Sequence, residues 1–391
     1  MDKILLRRTA RVIAGHSWIF SNELAASPKN YEPGSLVEVY DMKKDFIGIG
    51  YINSSSLIAV RLLTREKEHI DADFFRKRIR SALHYRSLIG ISGNSFRAVF
   101  SEGDSLPGLI ADKYGDCLAL QFLTLGMEKM KDVIVPIFDE IFSPAKIVLR
   151  NDSPSRTLEG LTLSKEVVKG YLPPLPIIYE GDIAFEVNPL AGQKTGFFLD
   201  QKENRLALGK LVHEGKGLDL FCYSGAWGLQ LAYKGADVTF VDDSESALSQ
   251  VEANAVRNGI EQKCVYKKAD VFAFLKEEVK SGNCYDFIVL DPPAFVKSRL
   301  KIKEALKGYR EINTLAMKLL KEDGILATSS CSYHIENSVF IDMLRDSARN
   351  ARKLFRLVEY RSQGKDHPVL LSVPETEYLK CAFLSLSSST D

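Results

Sequence analysis

Four aspartates and one cysteine in the second half of the chain stand at or beside the ends of short apolar runs. Asp219 lies in Gly217-Leu218-Asp219-Leu220-Phe221, and Asp242 follows Val238 to Val241. Asp270 follows Val265 to Lys268, Asp291 follows Phe287 to Leu290, and Cys331 follows Ile325 to Ser329 in Ser329-Ser330-Cys331-Ser332. A carboxylate accepts hydrogen bonds from hydroxyls and amines and pairs with cations. A thiolate adds to an electron-poor carbon. A single acidic strand end is more often a helix cap or a turn former. Five such positions in order define a site that recognises a polar ligand with a nucleophile beside it.

The first of these runs leads into Cys222-Tyr223-Ser224-Gly225-Ala226-Trp227-Gly228, where a loop turns at once into a helix. Glycines there let backbone approach a ligand, and the helix start offers free N–H groups. A dinucleotide fingerprint would need G-x-G-x-x-G, but only Gly225 and Gly228 are present. Asp219 is also awkward beside a pyrophosphate and better suited to a cationic amino acid. Asp242, followed by Asp243 and Ser244, is placed to accept both hydroxyls of a ribose. Asp270 is placed to bond an exocyclic amine. Asp291 is stiffened by Pro292 and Pro293, with Phe295 close behind.

These residues need a scaffold that brings strand ends together. After residue 200, apolar runs alternate with helical stretches at Trp227 to Lys234 and Glu245 to Asn258. That alternation predicts an α/β fold, a doubly wound sheet with mainly parallel strands whose carboxyl ends share one edge. Two late runs, Phe355 to Tyr360 and Tyr378 to Leu386, predict a closing antiparallel pair.

The first half reads differently. Leu36 to Tyr40, Asp45 to Tyr51 and Leu57 to Leu63 are strand-like, with turns at Pro33-Gly34 and Asn53 to Ser56, which predicts a small β-barrel or sandwich over 1–68. A helix follows, capped by Asp71 or Asp73, with Phe75, Ile79, Ala82 and Leu83 inward. Its Arg76, Lys77, Arg78, Arg80 and Arg86 form either a solvated face or a phosphate-contacting stripe. Residues 69–175 form a central α+β region of hairpins and one more helix. The three prolines in Tyr171 to Pro176 mark the boundary of the last domain, 176–391.

A chain of 391 residues exceeds one hydrophobic core. No apolar run spans a bilayer and no signal peptide opens the sequence, so the expected location is the cytoplasm. The net charge of +1 neither demands nor excludes a nucleic acid. The six cysteines form no C-x-x-C pair, so neither a zinc site nor a disulfide framework is expected. Cys117, Cys264, Cys284 and Cys381 read as small buried hydrophobes, and Cys222 as packing beside the ligand loop.

The five strand-end features resemble the motifs of class I methyltransferases, which implies S-adenosylmethionine as cofactor. Three further segments extend the resemblance over nearly the whole chain: Gly15-His16-Ser17-Trp18-Ile19-Phe20-Ser21-Asn22-Glu23, Glu102-Gly103-Asp104-Ser105-Leu106-Pro107-Gly108-Leu109, and Gln193-Lys194-Thr195-Gly196-Phe197-Phe198-Leu199-Asp200-Gln201 with Arg205. They are similar to segments of the bacterial large-subunit rRNA cytosine-5 methyltransferases of the RlmI type. The resemblance implies a PUA-type RNA-binding domain, a central domain and a catalytic domain acting on large-subunit rRNA. It implies that Phe198, Gln201 and Arg205 help hold the cofactor with Asp219, Phe221, Tyr223, Ser224, Gly225, Asp242, Ser244, Asp270 and Asp291. Chains of this family are often homodimers, and no metal is implied.

Cytosine C5 is a weak nucleophile until a thiolate adds to C6. Cys331 occupies the family's matching position, with Asp291 placed to bond the N3 or amino edge and Phe295, with Pro292 and Pro293, placed against the base. Other RNA cytosine-5 methyltransferases carry a second cysteine where this chain has Ala294. The base that removes the C5 proton is therefore open between Asp291, a water and His334. Two rival readings stand beside this one. A purine amino or N7 methyltransferase would need no Cys331, and an RNA-binding assembly factor would bind cofactor without turnover.

Overall fold

The computed structural model describes residues 1–295 and 302–387. Contacts divide the chain into two compact units. One comprises 1–178, 186–199 and 365–376; the other comprises 179–185, 200–364 and the residues from 377.

The first unit holds two sheets. Strands β1 (Asp2–Leu6), β2 (Trp18–Ile19), β3 (Leu36–Asp41), β4 (Phe46–Ile52) and β5 (Val60–Thr64) form one in the order β1-β3-β4-β5-β2, with α1 (Ala10–Ile13) between β1 and β2. Only β1 and β3 run parallel. Their alternating Ile4, Leu6, Val37, Val39, Val60 and Leu62 make its core. A 17-residue helix, α2 (Ala72–Leu88), follows, and the Asp71 carboxylate caps it by accepting from the N–H groups of Asp73 and Phe74. Its inward residues are Phe74, Phe75, Ile79, Ala82 and Arg86, while Leu83 is only half-buried.

The basic residues of α2 have intramolecular partners. Arg76 and Arg80 pair with Glu140, and Arg86 is buried against Asp104. Arg78 stands 4.0 Å from Glu68, so four of the five basic side chains named for the stripe have an acidic partner within the chain.

The second sheet, β6 (Ser95–Phe100), β7 (Leu109–Tyr114), β8 (Cys117–Phe122), β9 (Lys146–Asn151) and β10 (Ser164–Lys169), runs in the order β10-β9-β8-β7-β6. Strands β8 and β9 are parallel, joined through α3 (Leu125–Lys129) and α4 (Lys131–Phe142). The one further helix expected in this central region is thus two, meeting at Met130.

The segment 365–376 folds with the first unit although the second unit's residues 200–364 lie between it and the rest of that unit in sequence. Glu375 pairs with Arg11 at 2.6 Å and His16 at 2.9 Å. Asp366 accepts from the Arg97 N–H at 2.8 Å, and its carbonyl accepts from Arg86 at 2.7 Å.

A hairpin of β11 (Ile177–Glu180) and β12 (Ile183–Glu186) leads on to the second unit. There α5 (Lys202–Leu208), β13 (Lys216–Leu220), α6 (Ala226–Tyr233), β14 (Asp237–Asp242), α7 (Glu245–Arg257), β15 (Cys264–Lys268), α8 (Val271–Ser281), β16 (Tyr285–Leu290), α9 (Ile302–Lys318), β17 (Leu320–Ser330), α10 (Asn337–Ala351), β18 (Phe355–Arg361) and β19 (Lys380–Leu386) succeed one another. The seven strands order as β15-β14-β13-β16-β17-β19-β18. The first five are parallel, and β19 is antiparallel to both β17 and β18. Strand order reverses between β13 and β16, the place where an open α/β sheet leaves a crevice for a ligand. Leu218, Leu220, Ile288, Leu290 and Leu326 pack beneath α9 and α10 through Tyr309, Ile312, Phe340 and Met343.

Among the described residues no helix is long and apolar enough to cross a membrane, and no cluster of metal-ligating side chains occurs.

Candidate active site

The five residues singled out by spacing all lie at the carboxyl ends of adjacent parallel strands. Asp219 is the penultimate residue of β13, Asp242 ends β14, Asp270 follows β15, Asp291 follows β16 and Cys331 follows β17. Parallel register sets them along one edge: Leu220 pairs with Val241 on one side and Leu290 on the other, and Leu290 pairs with Thr328.

The loop from β13 to α6 is held in an unusual backbone shape. Phe221 and Tyr223 have φ of +59° and +47°, and Gly225 has φ of +74°. Left-handed conformations cost non-glycine residues about 1–3 kcal/mol and persist where surroundings enforce them, often at functional sites. The enforcement is visible. The Tyr223 N–H donates to Asp242 Oδ2 at 3.1 Å, and the N–H groups of Phe221 and Cys222 donate to the Val241 carbonyl. The Ser224 carbonyl accepts from Asn254.

Asp219 is 1 % exposed. Its Oδ2 accepts from the Gly228 N–H at 2.8 Å, and its Oδ1 has no hydrogen-bond partner among the described residues. Burial pushes this carboxyl well above the usual carboxylate range; the Gly228 N–H opposes that, and the charges of Asp291 and Asp242 add to it. A buried acceptor with an unmet oxygen, in a field made more negative by two further carboxylates, is a site for a cation.

Asp242 is half-buried, and each of its oxygens already takes one backbone N–H, from Tyr223 and from Ser244. Two lone-pair directions remain for a diol. Burial raises its pKa as well. Ser244 caps α7 by accepting from the Ala247 N–H. Asp270 is exposed and caps α8 through the Ala273 N–H at 2.8 Å.

Asp291 is gripped from two elements. Gln201 donates to both its oxygens at 3.1 and 3.2 Å, and the Trp227 indole N–H donates to Oδ2 at 3.0 Å. Gln201 thus supports Asp291 directly, and Asn204 in turn donates to Gln201. Arg205 is buried in a two-point pair with Glu180 of the hairpin, at 2.8 and 2.5 Å, and its charge lowers the pKa of Asp219. Phe198 falls in the first unit, beneath the Lys194 ammonium at 4.4 Å.

Phe295 packs 4.6 Å from Tyr309 and near Phe272 and Phe221, in the partly buried rim of the core. Pro292 is buried and Pro293 exposed. The Tyr309 hydroxyl and Ser332 Oγ are 3.0 Å apart. Cys331 is partly exposed. Cys222, Cys117 and Cys381 are buried, and burial raises the pKa of all three. Cys284 departs from its expected burial. It is exposed, because it sits in the turn between α8 and β16, and Cys264 is only partly covered at the sheet's edge strand.

Trp227, Glu180 and Lys380 were not singled out by sequence. Trp227 carried a visible signal, an indole in the first turn of the helix after the ligand loop. Glu180 and Lys380 carried none, since their partners are distant in the chain.

A seven-stranded sheet in this order, with one reversed strand and an acidic crevice at its switch point, is the fold of the class I methyltransferases. Comparison with known proteins agrees. A family model described as a PUA-like domain matches residues 4–65, and one described as conserved hypothetical protein 95 matches residues 202–348. A Streptococcus mutans structure described as a candidate SAM-dependent methyltransferase superposes with a TM-score of 0.83 at 21% identity, covering 98% of this chain and 100% of that one. The ribosomal RNA large subunit methyltransferase I of Shewanella denitrificans is 38% identical over 374 residues, 93% of this chain and 94% of its own. That of Aeromonas hydrophila is 36% identical over 388 residues, 97% and 96%. The chain belongs to the ribosomal RNA large subunit methyltransferase I family.

Proposed function

We propose that this protein methylates C5 of a cytosine in large-subunit ribosomal RNA, with Cys331 as nucleophile and S-adenosylmethionine as methyl donor. The observation that carries the reading is the conjunction at one sheet edge of a cation-seeking carboxylate, Asp219, with a partly exposed thiol, Cys331, two strands away.

The residues present fit the cofactor. Asp219 has an unmet buried oxygen for an ammonium, Asp242 has free lone pairs for a ribose diol, and Gly225 and Gly228 keep the loop clear of side chains. A Cβ at Gly228 would meet Asp219 Oδ2 at 2.9 Å, so that position stays bare. When bound, the cofactor supplies an electrophilic methyl on a sulfonium.

The chain's own part is then as follows. The Cys331 thiolate adds to cytosine C6, forming an S–C6 bond while the C5–C6 π pair shifts to C5–C4 and the C4–N3 pair moves onto N3, which leaves C5 the nucleophilic carbon of an enamine. Asp291, fixed by Gln201 and Trp227, bonds the N3 or amino edge and orients the ring. Once C5 carries the methyl, its proton leaves to a base, the C5–C6 double bond re-forms and the S–C6 bond breaks. PUA-like residues 4–65 and the relatives' names support RNA as the substrate.

The test is methyl transfer from labelled S-adenosylmethionine to bacterial large-subunit rRNA by wild type and Cys331→Ala, with the product digested to nucleosides. Label in 5-methylcytidine, lost in the variant, is expected. Label in a purine, or activity surviving in the variant, would move the enzyme to purine chemistry and return Cys331 to packing.

A further inference from the structure

In the seven-stranded sheet β19 lies next to β17 and runs opposite to it. Reversal brings the first residue of β19, Lys380, opposite Ser330, the last residue of β17 and the neighbour of Cys331. Lys380 is 3 % exposed, which is rare for a lysine. Its Nζ donates to the Ser332 carbonyl at 2.8 Å and to the Tyr378 carbonyl at 2.9 Å. One of those carbonyls belongs to the residue after Cys331, and the third N–H of the ammonium has no hydrogen-bond acceptor among the described residues.

We propose that Lys380 is the positioning residue of the reacting cysteine, its ammonium holding Cys331 as a thiolate before substrate arrives. The proton leaves the thiol for solvent, and a thiolate–ammonium pair remains. This rests on the reading of Cys331 as nucleophile.

The electrostatics agree with the geometry. Burial lowers the Lys380 pKa to about 8, and it would fall further were the charges of Cys331 and Glu377 not raising it. Attraction between two groups is reciprocal, so the ammonium favours the thiolate by as much as the thiolate favours the ammonium. Other titratable groups face the pair. Tyr309, from α9, has its pKa raised mainly by burial and also by the Cys331 charge. Cys381 is pushed up to about 12 by burial, with Asp291 adding. Glu377 raises the Lys380 pKa alongside Cys331 and so helps keep the ammonium charged, and a cation next to a thiol favours its thiolate. A lysine with a pKa near 8 also gives up its charge readily once the thiolate is consumed, which lets the pair be neutral while the S–C6 bond exists.

The experiment is the pH dependence of Cys331 alkylation by iodoacetamide, read on the Cys331 peptide by mass spectrometry, in wild type, Lys380→Met and Lys380→Arg. An ordinary thiol has a midpoint of about 8.5. Wild type is expected below that value. Lys380→Met should be displaced upward by about one unit, with roughly tenfold slower alkylation at pH 7. Lys380→Arg, which keeps the charge, should recover most of the rate. A wild-type midpoint at or above 8.5 overturns the proposal without any variant, as does an unmoved midpoint in a folded Lys380→Met that still binds cofactor. Alkylation does not require methyl transfer. A low wild-type midpoint alongside full methyltransferase activity in Cys331→Ala would keep the ion pair and refute the nucleophile, so the two ideas fail separately.

Discussion

Replacing Asp219 by asparagine separates what this residue does for the fold from what it does for the ligand. Wild-type Asp219 is a buried carboxylate with one hydrogen bond, from Gly228, one unmet oxygen, and two carboxylates nearby. Asparagine keeps the shape and the Gly228 bond and removes the charge. It leaves an N–H group where Oδ1 had no partner, at a cost of about 1–3 kcal/mol. Relief of a buried charge is worth several kcal/mol, so the ligand-free variant should be the more stable protein by about 1–2 kcal/mol. The melting temperature should rise by about 2–4 °C for each of these kcal/mol.

The pH dependence has a definite sign. The folded-state pKa is raised, so the native protein holds this proton more tightly than the unfolded chain. Wild type therefore has the Asp219 contribution in full below the unfolded value of 3.8 and loses it as pH rises through the raised folded value. The stability gap between Asp219→Asn and wild type should widen across that window and then level off. Affinity should move the other way. Losing a charge-assisted bond to an ammonium costs about 1.5–3 kcal/mol, or roughly 10–150-fold in the Kd for S-adenosylmethionine. Thermal melts across pH and isothermal titration calorimetry read both quantities. A variant less stable than wild type at neutral pH, or one that binds the cofactor unchanged, would refute the reasoning.

Three more outcomes are expected. Asp242→Ala removes a half-buried acceptor and two loop contacts, from Tyr223 and Ser244, and should weaken S-adenosylmethionine at least tenfold by calorimetry. Gly228→Ala would gain about 1 kcal/mol in an open helix, but here the Cβ meets Phe240 Cε1 at 2.4 Å and Asp219 Oδ2 at 2.9 Å. Overpacking of about 1–3 kcal/mol should reverse the sign, visible as a lower melting temperature. Arg205→Met strands Glu180, which is fully buried, and should destabilise the second unit by about 3–5 kcal/mol in denaturant titration. A loss under 1 kcal/mol would show that Glu180 finds another partner.

What was legible in the sequence is the edge of the parallel sheet. Strands β13, β14, β15 and β17 are each followed by a helix within seven residues, so the apolar run and its polar end are neighbours in the chain and local pattern suffices. The antiparallel pair β18 and β19 was legible as two runs, but not the direction of β19 relative to β17, which is what carries Lys380 to Cys331. Direction is decided by a connection of some twenty residues that has little regular structure. The Arg205–Glu180 pair was hidden for a related reason. Arg205 sits in a motif, whereas Glu180 belongs to a short hairpin whose residues look like any polar turn. The proline-rich boundary near residue 176 lies close to the first division at 178, yet 186–199 and 365–376 return to the first unit. Nothing local in 365–376 marks it as the partner of Arg86, Arg97 and His16.

That returning segment bears on how the protein is made. Ribosomes deliver about 5–20 residues each second, and a first domain ordinarily folds while the next is being synthesised. Here the first unit cannot finish in that way. Arg86 is buried and its donors reach Asp366, and His16 meets Glu375. Those partners leave the exit tunnel roughly 190 residues after residue 178, a wait of about 10–40 s. During that interval the nascent chain lacks the acceptors that Asp366 supplies to Arg86 and Arg97 and that Glu375 supplies to His16. The amino-terminal unit is thus first in the chain and among the last to be complete, and a stalled or truncated translation product would carry it unfinished.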